Sequence, residues 1–246
     1  MTHLFGLIGN PISHSLSPAY LQAKWQAEGI TDCAYRLFPL SGISSLKPLL
    51  EQYPELCGLN VTSPYKETVL TCADTVDEQA ASLRSANVLC IRQKKISAYN
   101  TDVEGFSALL ETLPHPLPAQ ALVLGSGGAS RTVCAVLSSK GIQTAIVSRT
   151  GKLNYQNLTP SLVEQCKLII NATPLGIGPW KKQAPDIPYQ AITPEHLLTD
   201  LNYHPSETRF LQFGKKQGAQ TFNGLKMLHA QADASWKIWK QYLTEN

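Results

Sequence analysis

A lysine and an aspartate, each directly after a predicted strand, have the chemistry of an acid–base pair. Lys66 follows the apolar strand Leu56–Val61 in the segment GLNVTSPYKE and is predicted to lie in the first turn of a helix, and Asp102 follows the strand Lys95–Tyr99. The ends of strands in α/β proteins present side chains to ligands. A single lysine is usually an exposed surface residue, so the second polar cluster around Asp102 is what favours a site. An ammonium group beside a carboxylate can act as a general acid, which gives a proton to a reacting group.

Two serines near the N-terminus could bind an anion. Ser15 and Ser17 stand at the predicted start of a helix that has Pro18 at its first position and Gly29 at its end. Hydroxyl groups and free backbone N–H groups at a helix start suit a carboxylate. The alternative is that Ser17 only caps its own helix, and the two serines taken alone favour this alternative.

A glycine-rich turn predicts a dinucleotide-binding unit. The strand Gln120–Leu124 is followed by GSGGAS, a helical pattern and a second strand that ends at Ser148. In such a unit the glycines let the backbone approach a pyrophosphate at the start of the helix. Gly125 and Gly127 match the first two glycines of the pattern G-x-G-x-x-G, and Ser130 takes the third position. The strand–turn–helix–strand context favours cofactor binding over a plain turn.

The residues after the second strand of this unit indicate which nicotinamide cofactor binds. An acidic residue there hydrogen-bonds a ribose 2′-hydroxyl, whereas an arginine accommodates a 2′-phosphate. The chain has Ser148, Arg149 and Thr150 at this point. It therefore favours NADP over NAD.

The elements that must position these residues alternate between apolar strands and helical patterns, which predicts an α/β protein with two domains. We predict a mixed, mainly parallel α/β/α substrate-binding and catalytic domain at 1–113. A Rossmann-type NADP-binding domain is predicted at 114–223, because the three prolines of Leu113–Pro118 (LPHPLP) cannot continue a helix. The last helix, within 224–246, is predicted to pack back on the N-terminal domain.

Composition narrows the class of protein further. A net charge of +3 over 246 residues does not indicate a nucleic-acid-binding protein. The six cysteines include no C-x-x-C pair, the six histidines show no metal-ligand spacing, and no apolar run reaches the length of a membrane-spanning helix. With no export signal at the N-terminus, we expect a cytoplasmic enzyme without a metal, acting on a small molecule as a monomer or homodimer.

The motifs taken together resemble the shikimate/quinate dehydrogenase family over nearly the whole chain. The segments that carry the resemblance are GNPISHSLSP, GLNVTSPYKE, SAN ending at Asn87, NTDVEGF, GSGGAS, SRT, NATPLG, DLNYHPSET and GLKMLHAQA. The resemblance implies the NADP-dependent, reversible reduction of 3-dehydroshikimate to shikimate, a step of aromatic amino acid biosynthesis.

The resemblance also implies roles for individual residues. Lys66 and Asp102 would be the catalytic pair, with Lys66 the favoured proton donor and Asp102 orienting it and the substrate. The residues implied to contact the substrate are Ser15 and Ser17 at its carboxylate, with Asn60, Thr62, Lys66, Asn87, Asp102, Tyr203 and Gln231. The residues implied to contact the cofactor are Gly125, Ser126, Gly127, Gly128, Ala129, Ser148, Arg149, Thr150, Asn171, Thr173, Gly224 and Met227.

Three other interpretations remain open from the sequence. A relative that oxidises quinate with NAD would use the same motifs. A methylene-tetrahydrofolate dehydrogenase would explain a lysine near a cofactor fold, although not the HSLSP and NTD segments together. A non-catalytic dinucleotide sensor would keep the fold, although retention of both Lys66 and Asp102 argues against it.

Overall fold

The computed structural model describes residues 3–244, which form two compact units. Of the described residues, the first unit comprises those up to Asp102 and those from His229 onwards, and the second comprises Val103–Leu228. The last helix belongs for most of its length to the first unit.

The first unit is built on a mixed, mainly parallel six-stranded sheet. Its strands are β1 (His3–Gly9), β2 (Cys33–Pro39), β3 (Leu56–Val61), β4 (Thr75–Val76), β5 (Val88–Arg92) and β6 (Lys95–Tyr99). They are arranged in the order β2-β1-β3-β5-β6-β4. The pairs β1/β2, β1/β3 and β4/β6 are parallel, whereas β5 runs antiparallel to β3 and β6.

Apolar side chains cover both faces of this sheet. Its helices are α1 (Ser17–Ala27), α2 (Leu46–Gln52), α3 (Glu78–Leu83) and most of α8 (Leu225–Thr244). On one face an aromatic cluster joins Phe5, Trp25, Trp236 and Trp239. Gly58 is required beneath it, because a Cβ there would lie 2.3 Å from Trp239 Nε1. This packing fixes the position of α8 on the sheet.

The segment after Lys66 differs from the predicted helix. Residues 62–67 form turns, and a short 3₁₀ helix follows at Thr68–Cys72 before α3 begins at Glu78. Asp77 caps α3 by accepting a hydrogen bond from Gln79 N at 2.9 Å, which marks the true start of that helix. Lys66 is thus presented by a turn rather than by a helix.

The second unit has the parallel α/β architecture of a Rossmann-type domain. Its strands are β7 (Gln120–Leu124), β8 (Gln143–Val147), β9 (Leu168–Asn171), β10 (Leu197–Asp200) and β11 (Gln220–Phe222), in the order β11-β10-β9-β7-β8. All four strand pairs are parallel. The helices are α4 (Asp102–Leu110), α5 (Gly128–Ser139), α6 (Pro160–Gln165) and α7 (Arg209–Lys216).

The units divide at Asp102, whereas the sequence placed the boundary at residue 113. Phe106, Leu109 and Leu110 of α4 are at most 1% exposed and belong to a core with Val133 and Ile170 of the second unit. Burial of this apolar face therefore assigns residues 103–113 to the second unit, before the prolines are reached. Within residues 3–244, no helix is long and apolar enough to cross a membrane.

Candidate functional site

Lys66 and Asp102 form a direct ion pair in the first unit. Asp102 is the first residue of α4, and its Oδ2 lies 2.5 Å from Lys66 Nζ. The turn that carries Lys66 is held by a 2.8 Å hydrogen bond from Ala86 N to Lys66 O. The aspartate side chain is 5% exposed and the lysine side chain 18%. The carboxylate is thus nearly desolvated, and the lysine cation beside it stabilises its negative charge. The ammonium group keeps some contact with solvent.

Asn87 joins this ion pair to the rest of the site. Its Nδ2 lies 3.2 Å from Asp102 Oδ1, 3.0 Å from Thr101 Oγ1 and 3.3 Å from Gln231 Oε1. Its Oδ1 accepts a 2.7 Å hydrogen bond from Thr101 N. Since Oδ1 must face this backbone donor, the amide group has one orientation, and its N–H groups point to Asp102 and Gln231.

Asn60, a predicted substrate contact, is instead bonded within the protein. It is 4% exposed, and its Oδ1 accepts a 2.8 Å hydrogen bond from the Tyr35 hydroxyl. Its Nδ2 donates to Asn87 O at 3.3 Å and to Ser235 Oγ at 3.0 Å. Both N–H groups and one acceptor position are therefore occupied, which favours a positioning role over the predicted contact with a ring hydroxyl.

Thr62 lies directly after β3 with its side chain partly buried. Its backbone N–H bonds Ile8 O at 2.9 Å, and its methyl group faces Gly9, where a Cβ would lie 2.4 Å from Thr62 Cγ2. Among the described residues, no hydrogen bond occupies the Thr62 hydroxyl. This group is free to bond a ligand, so its predicted role stands as a proposal.

The serine pair differs from the capping alternative. Ser17 is the first residue of α1, the preceding Leu16 holds the capping position, and no side chain caps the helix. The alternative in which Ser17 caps its own helix is therefore wrong. Ser15 Oγ instead accepts a 3.3 Å hydrogen bond from Ser17 N. The Ser17 hydroxyl thus plays no part in helix capping, although Ser17 is only 5% exposed.

Two contacts hold the start of α1 against α8, the helix that carries Gln231. The rings of Tyr20 and His229 stack with centroids 4.2 Å apart and planes 8° apart. The Tyr20 hydroxyl donates a 2.8 Å hydrogen bond to Asp233 Oδ1. Burial, together with the nearby Asp233 carboxylate, raises the pKa of Tyr20 to about 12. Tyr20 thus stays a neutral hydrogen-bond donor at neutral pH.

In the second unit, the glycine turn leaves its backbone open. Gly125 has φ +116°, a conformation that favours glycine, and a Cβ on Gly127 would meet no atom within 4 Å. Ser126 and Gly127 are exposed, and Gly128 and Ala129 begin α5. Ser130 Oγ donates a 2.7 Å hydrogen bond to Gly125 O, so the serine at the third glycine position braces the turn. The backbone N–H groups in the first turn of a twelve-residue helix suit a pyrophosphate.

Ser148, Arg149 and Thr150 follow β8, which lies beside β7. Ser148 is 8% exposed, whereas Arg149 and Thr150 are exposed. Burial raises the pKa of Tyr155, and the positive charge of Arg149 opposes this shift. Val147, the last residue of β8, pairs with Leu124, after which the glycine turn begins, so Arg149 follows the strand that neighbours this turn.

Asn171 and Thr173 build the loop after β9 rather than offering free side chains. Asn171 is fully buried; its Oδ1 accepts from Thr173 Oγ1 at 2.6 Å, and its Nδ2 lies 3.1 Å from Asp200 Oδ1. Asp200 also accepts hydrogen bonds from Asn202 N at 2.9 Å and from Thr208 Oγ1 at 2.5 Å. The sequence analysis assigned no role to Asp200, although the motif DLNYHPSET contains it. Its carboxyl group links the end of β9 to the segment between β10 and α7.

Asp200 makes the stability of the protein depend on pH. Burial raises the pKa of its carboxyl group from 3.8 to about 6, against the opposing effect of hydrogen bonds from Thr208 and its other partners. The folded state therefore holds the proton more tightly than the unfolded state. The stability that this protonation contributes is present at low pH and is lost as pH rises through about 6. We expect the free energy of unfolding of the wild type, relative to Asp200→Asn, to fall by about 2 kcal/mol between about pH 4.5 and 7.5.

Urea titrations of both proteins at several pH values measure this difference, and titrations shared by the two proteins cancel in it. A difference that does not change with pH would contradict the prediction.

The remaining predicted residues lie at the end of the second unit. A Cβ on Gly224 would be 2.0 Å from Leu201 O, so packing alone requires this glycine. Met227 is 7% exposed within the core that contains Phe106. Tyr203 is partly buried in the segment after β10. Their predicted contacts with cofactor and substrate stay proposals. Among residues 3–244, no group of three or more His, Cys, Asp or Glu side chains is placed to hold a metal ion.

A first unit with a shielded lysine–aspartate pair, and a second unit of Rossmann type with an open glycine turn, define an oxidoreductase of the dinucleotide-binding class. Residues 7–89 match the family model described as the shikimate dehydrogenase substrate binding domain. The shikimate dehydrogenase (NADP(+)) of Prochlorococcus marinus strain MIT 9312 is 36% identical, over 97% of this chain and 92% of that protein. The chain belongs to the shikimate dehydrogenase family.

Solved structures agree with this assignment. The shikimate dehydrogenase of Aquifex aeolicus superimposes with a TM-score of 0.87 at 30% identity, over 98% of this chain and 93% of that chain. The quinate dehydrogenase of Corynebacterium glutamicum, solved in complex with NAD, superimposes with a TM-score of 0.84 at 26% identity, over 98% and 94% of the two chains.

Proposed function

We propose that this protein catalyses the reversible, NADP-dependent reduction of 3-dehydroshikimate to shikimate in aromatic amino acid biosynthesis. The observation that carries the proposal is the ion pair of Lys66 and Asp102, 2.5 Å apart and tied through Asn87 to Gln231. The names of the related proteins support the substrate and the cofactor.

Lys66 supplies the proton in the direction of reduction. When bound, NADPH supplies the hydride, which leaves negative charge on the former ketone oxygen. The Lys66 ammonium group donates a proton to this oxygen and becomes a neutral amine, and the same amine accepts the proton in shikimate oxidation. Asp102 holds Nζ in place through Oδ2, while Asn87 holds the other carboxylate oxygen. The side chain of Lys66 is 18% exposed, which lets solvent restore its proton.

The other substrate contacts follow from the same unit. Ser15 and Ser17, at the start of α1, bind the carboxylate of the substrate. Thr62, Asn87 and Gln231 bind its hydroxyl groups. A contact from Tyr203 is proposed on the family resemblance alone. Asn60 acts through Asn87, because its own amide group is already bonded.

The cofactor residues fit a phosphorylated dinucleotide. The turn from Gly125 to Ala129 offers backbone N–H groups to the pyrophosphate, and no Cβ would obstruct Gly127. Arg149 and Thr150 bind the 2′-phosphate. Ser148, Asn171 and Thr173 shape the loops around these contacts, together with Gly224 and Met227.

Steady-state kinetics on shikimate and on quinate, each with NADP and with NAD, test the proposal. We expect the highest kcat/KM for shikimate with NADP. A preference for quinate with NAD would instead indicate a quinate dehydrogenase, the activity for which the related Corynebacterium glutamicum protein is named. Binding of NADP without turnover of either substrate would favour a dinucleotide sensor.

Assembly and location also remain proposals. We propose a monomer or homodimer in the cytoplasm, and light scattering of the purified protein measures the first of these properties.

A further inference from the structure

A buried chain of hydrogen bonds leads from Tyr35 to the catalytic pair. The Tyr35 hydroxyl donates to Asn60 Oδ1, and Asn60 Nδ2 donates to Ser235 Oγ. The hydroxyl of Ser235 in turn donates to Gln231 O at 2.7 Å. The same carbonyl accepts a 3.0 Å hydrogen bond from Thr101 Oγ1. One assignment of protons satisfies all these bonds, so each group constrains the next.

This chain of hydrogen bonds is shielded from water and ends at the Asp102 carboxylate. Its members are at most 9% exposed: Tyr35, Asn60, Asn87, Thr101, Asp102, Gln231 and Ser235. Thr101 Oγ1 accepts from Asn87 Nδ2, and the same nitrogen donates to Asp102 Oδ1. A change at Tyr35 can thus reach the carboxylate that holds Lys66 without contact with the substrate.

We propose that Tyr35 and Ser235 are positioning residues, which set the orientation of Asn87 and Gln231 towards the substrate by fixing the amide group of Asn60. This inference rests on the proposed function, because it assumes that Asn87 and Gln231 contact the substrate. Without the Tyr35 hydroxyl, Asn60 Oδ1 loses its donor in a dry interior. Rotation of the amide would not repair this loss, since it would turn Oδ1 towards Asn87 O.

Tyr35→Phe removes only this hydroxyl group. We expect about a tenfold fall in kcat/KM for shikimate, with an unchanged KM for NADP. The dissociation constant of shikimate, measured calorimetrically without cofactor, should rise by a similar factor.

Tyr189→Phe is the matched control. The Tyr189 hydroxyl donates a 2.8 Å hydrogen bond to Pro185 O, and its ring packs against an apolar core of the second unit. Both variants lose a shielded phenol hydroxyl that donates a hydrogen bond, so both lose stability, but only Tyr35→Phe should weaken shikimate binding. Equal shikimate constants in the two variants would overturn the proposal.

Ser235→Ala interrupts the chain of hydrogen bonds at a second point. This variant tests the proposal if Tyr35→Phe does not fold. We expect the same loss in shikimate binding, and the double variant should lose less than the sum of the two single effects. Additive effects would show that the two residues act separately. If the wild type acts on quinate and not on shikimate, the proposed substrate is wrong. The same comparison of variants with quinate then still decides whether Tyr35 and Ser235 position the groups that bind the substrate.

Discussion

Replacing Lys66 with alanine is expected to lower the turnover of shikimate oxidation by about 10²- to 10⁴-fold. The variant lacks the amine that we propose as the acceptor of the substrate proton in oxidation and, once protonated, as the proton donor in reduction. The affinity for NADP should stay unchanged, because the glycine turn and Arg149 belong to the second unit. Formation of NADPH, followed by its absorbance, gives kcat and KM, and equilibrium dialysis gives the affinity for NADP.

The loss of turnover must be separated from a loss of stability. Without Lys66, the Asp102 carboxylate would lie 5% exposed without its partner, and an uncompensated buried charge is strongly destabilising. The double variant Lys66→Ala/Asp102→Asn removes both charges, so it should be more stable than the single variant and equally inactive. Lys95→Ala removes an exposed lysine at the other end of β6 and should keep full activity. Near-normal turnover of Lys66→Ala would refute the assignment.

The fold was predictable where apolar patterns and turn residues agree. β3 and β6 have the predicted bounds, and Asp102 begins α4 as expected. The prediction was wrong after Lys66, where turns and a 3₁₀ helix replace the helix. Within Thr68–Cys72 only Val69 is fully buried, so this short segment lacks the repeated apolar positions that a buried helix face needs. The domain boundary also differed, since the prolines mark the end of a helical segment while the core that this segment joins depends on tertiary packing.

The candidate site was predictable as residue types and less so as contacts. The pairing of Lys66 with Asp102 follows from two polar strand ends in one sheet. The hydrogen bonds that Asn60 makes with Tyr35 and Ser235 could not be predicted from the sequence, because Ser235 is 175 positions away from Asn60. Asp200 was also missed. In the sequence it belongs to a polar segment, and only the folded structure shows that its carboxylate is buried.

Replacing Arg149 with alanine is expected to raise the KM for NADP by about tenfold or more, because one charge-assisted hydrogen bond contributes about 1.5–3 kcal/mol. The KM for NAD should change little, since NAD lacks the 2′-phosphate. Competitive inhibition isolates this contact from catalysis: adenosine 2′,5′-bisphosphate should bind the variant more weakly, whereas AMP should bind it as it binds the wild type.

The matched control is Lys140→Ala, which removes an exposed positive charge at the far end of α5. A general electrostatic attraction to the cofactor would be weakened by both substitutions, whereas a specific contact with the 2′-phosphate would be weakened only by the change at Arg149. Arg149→Asp extends the test, because a carboxylate at this position repels the 2′-phosphate and can accept a hydrogen bond from a ribose 2′-hydroxyl. The ratio of kcat/KM for NADP to that for NAD should therefore fall further in Arg149→Asp than in Arg149→Ala. An unchanged ratio in both variants would place cofactor selection elsewhere in the second unit.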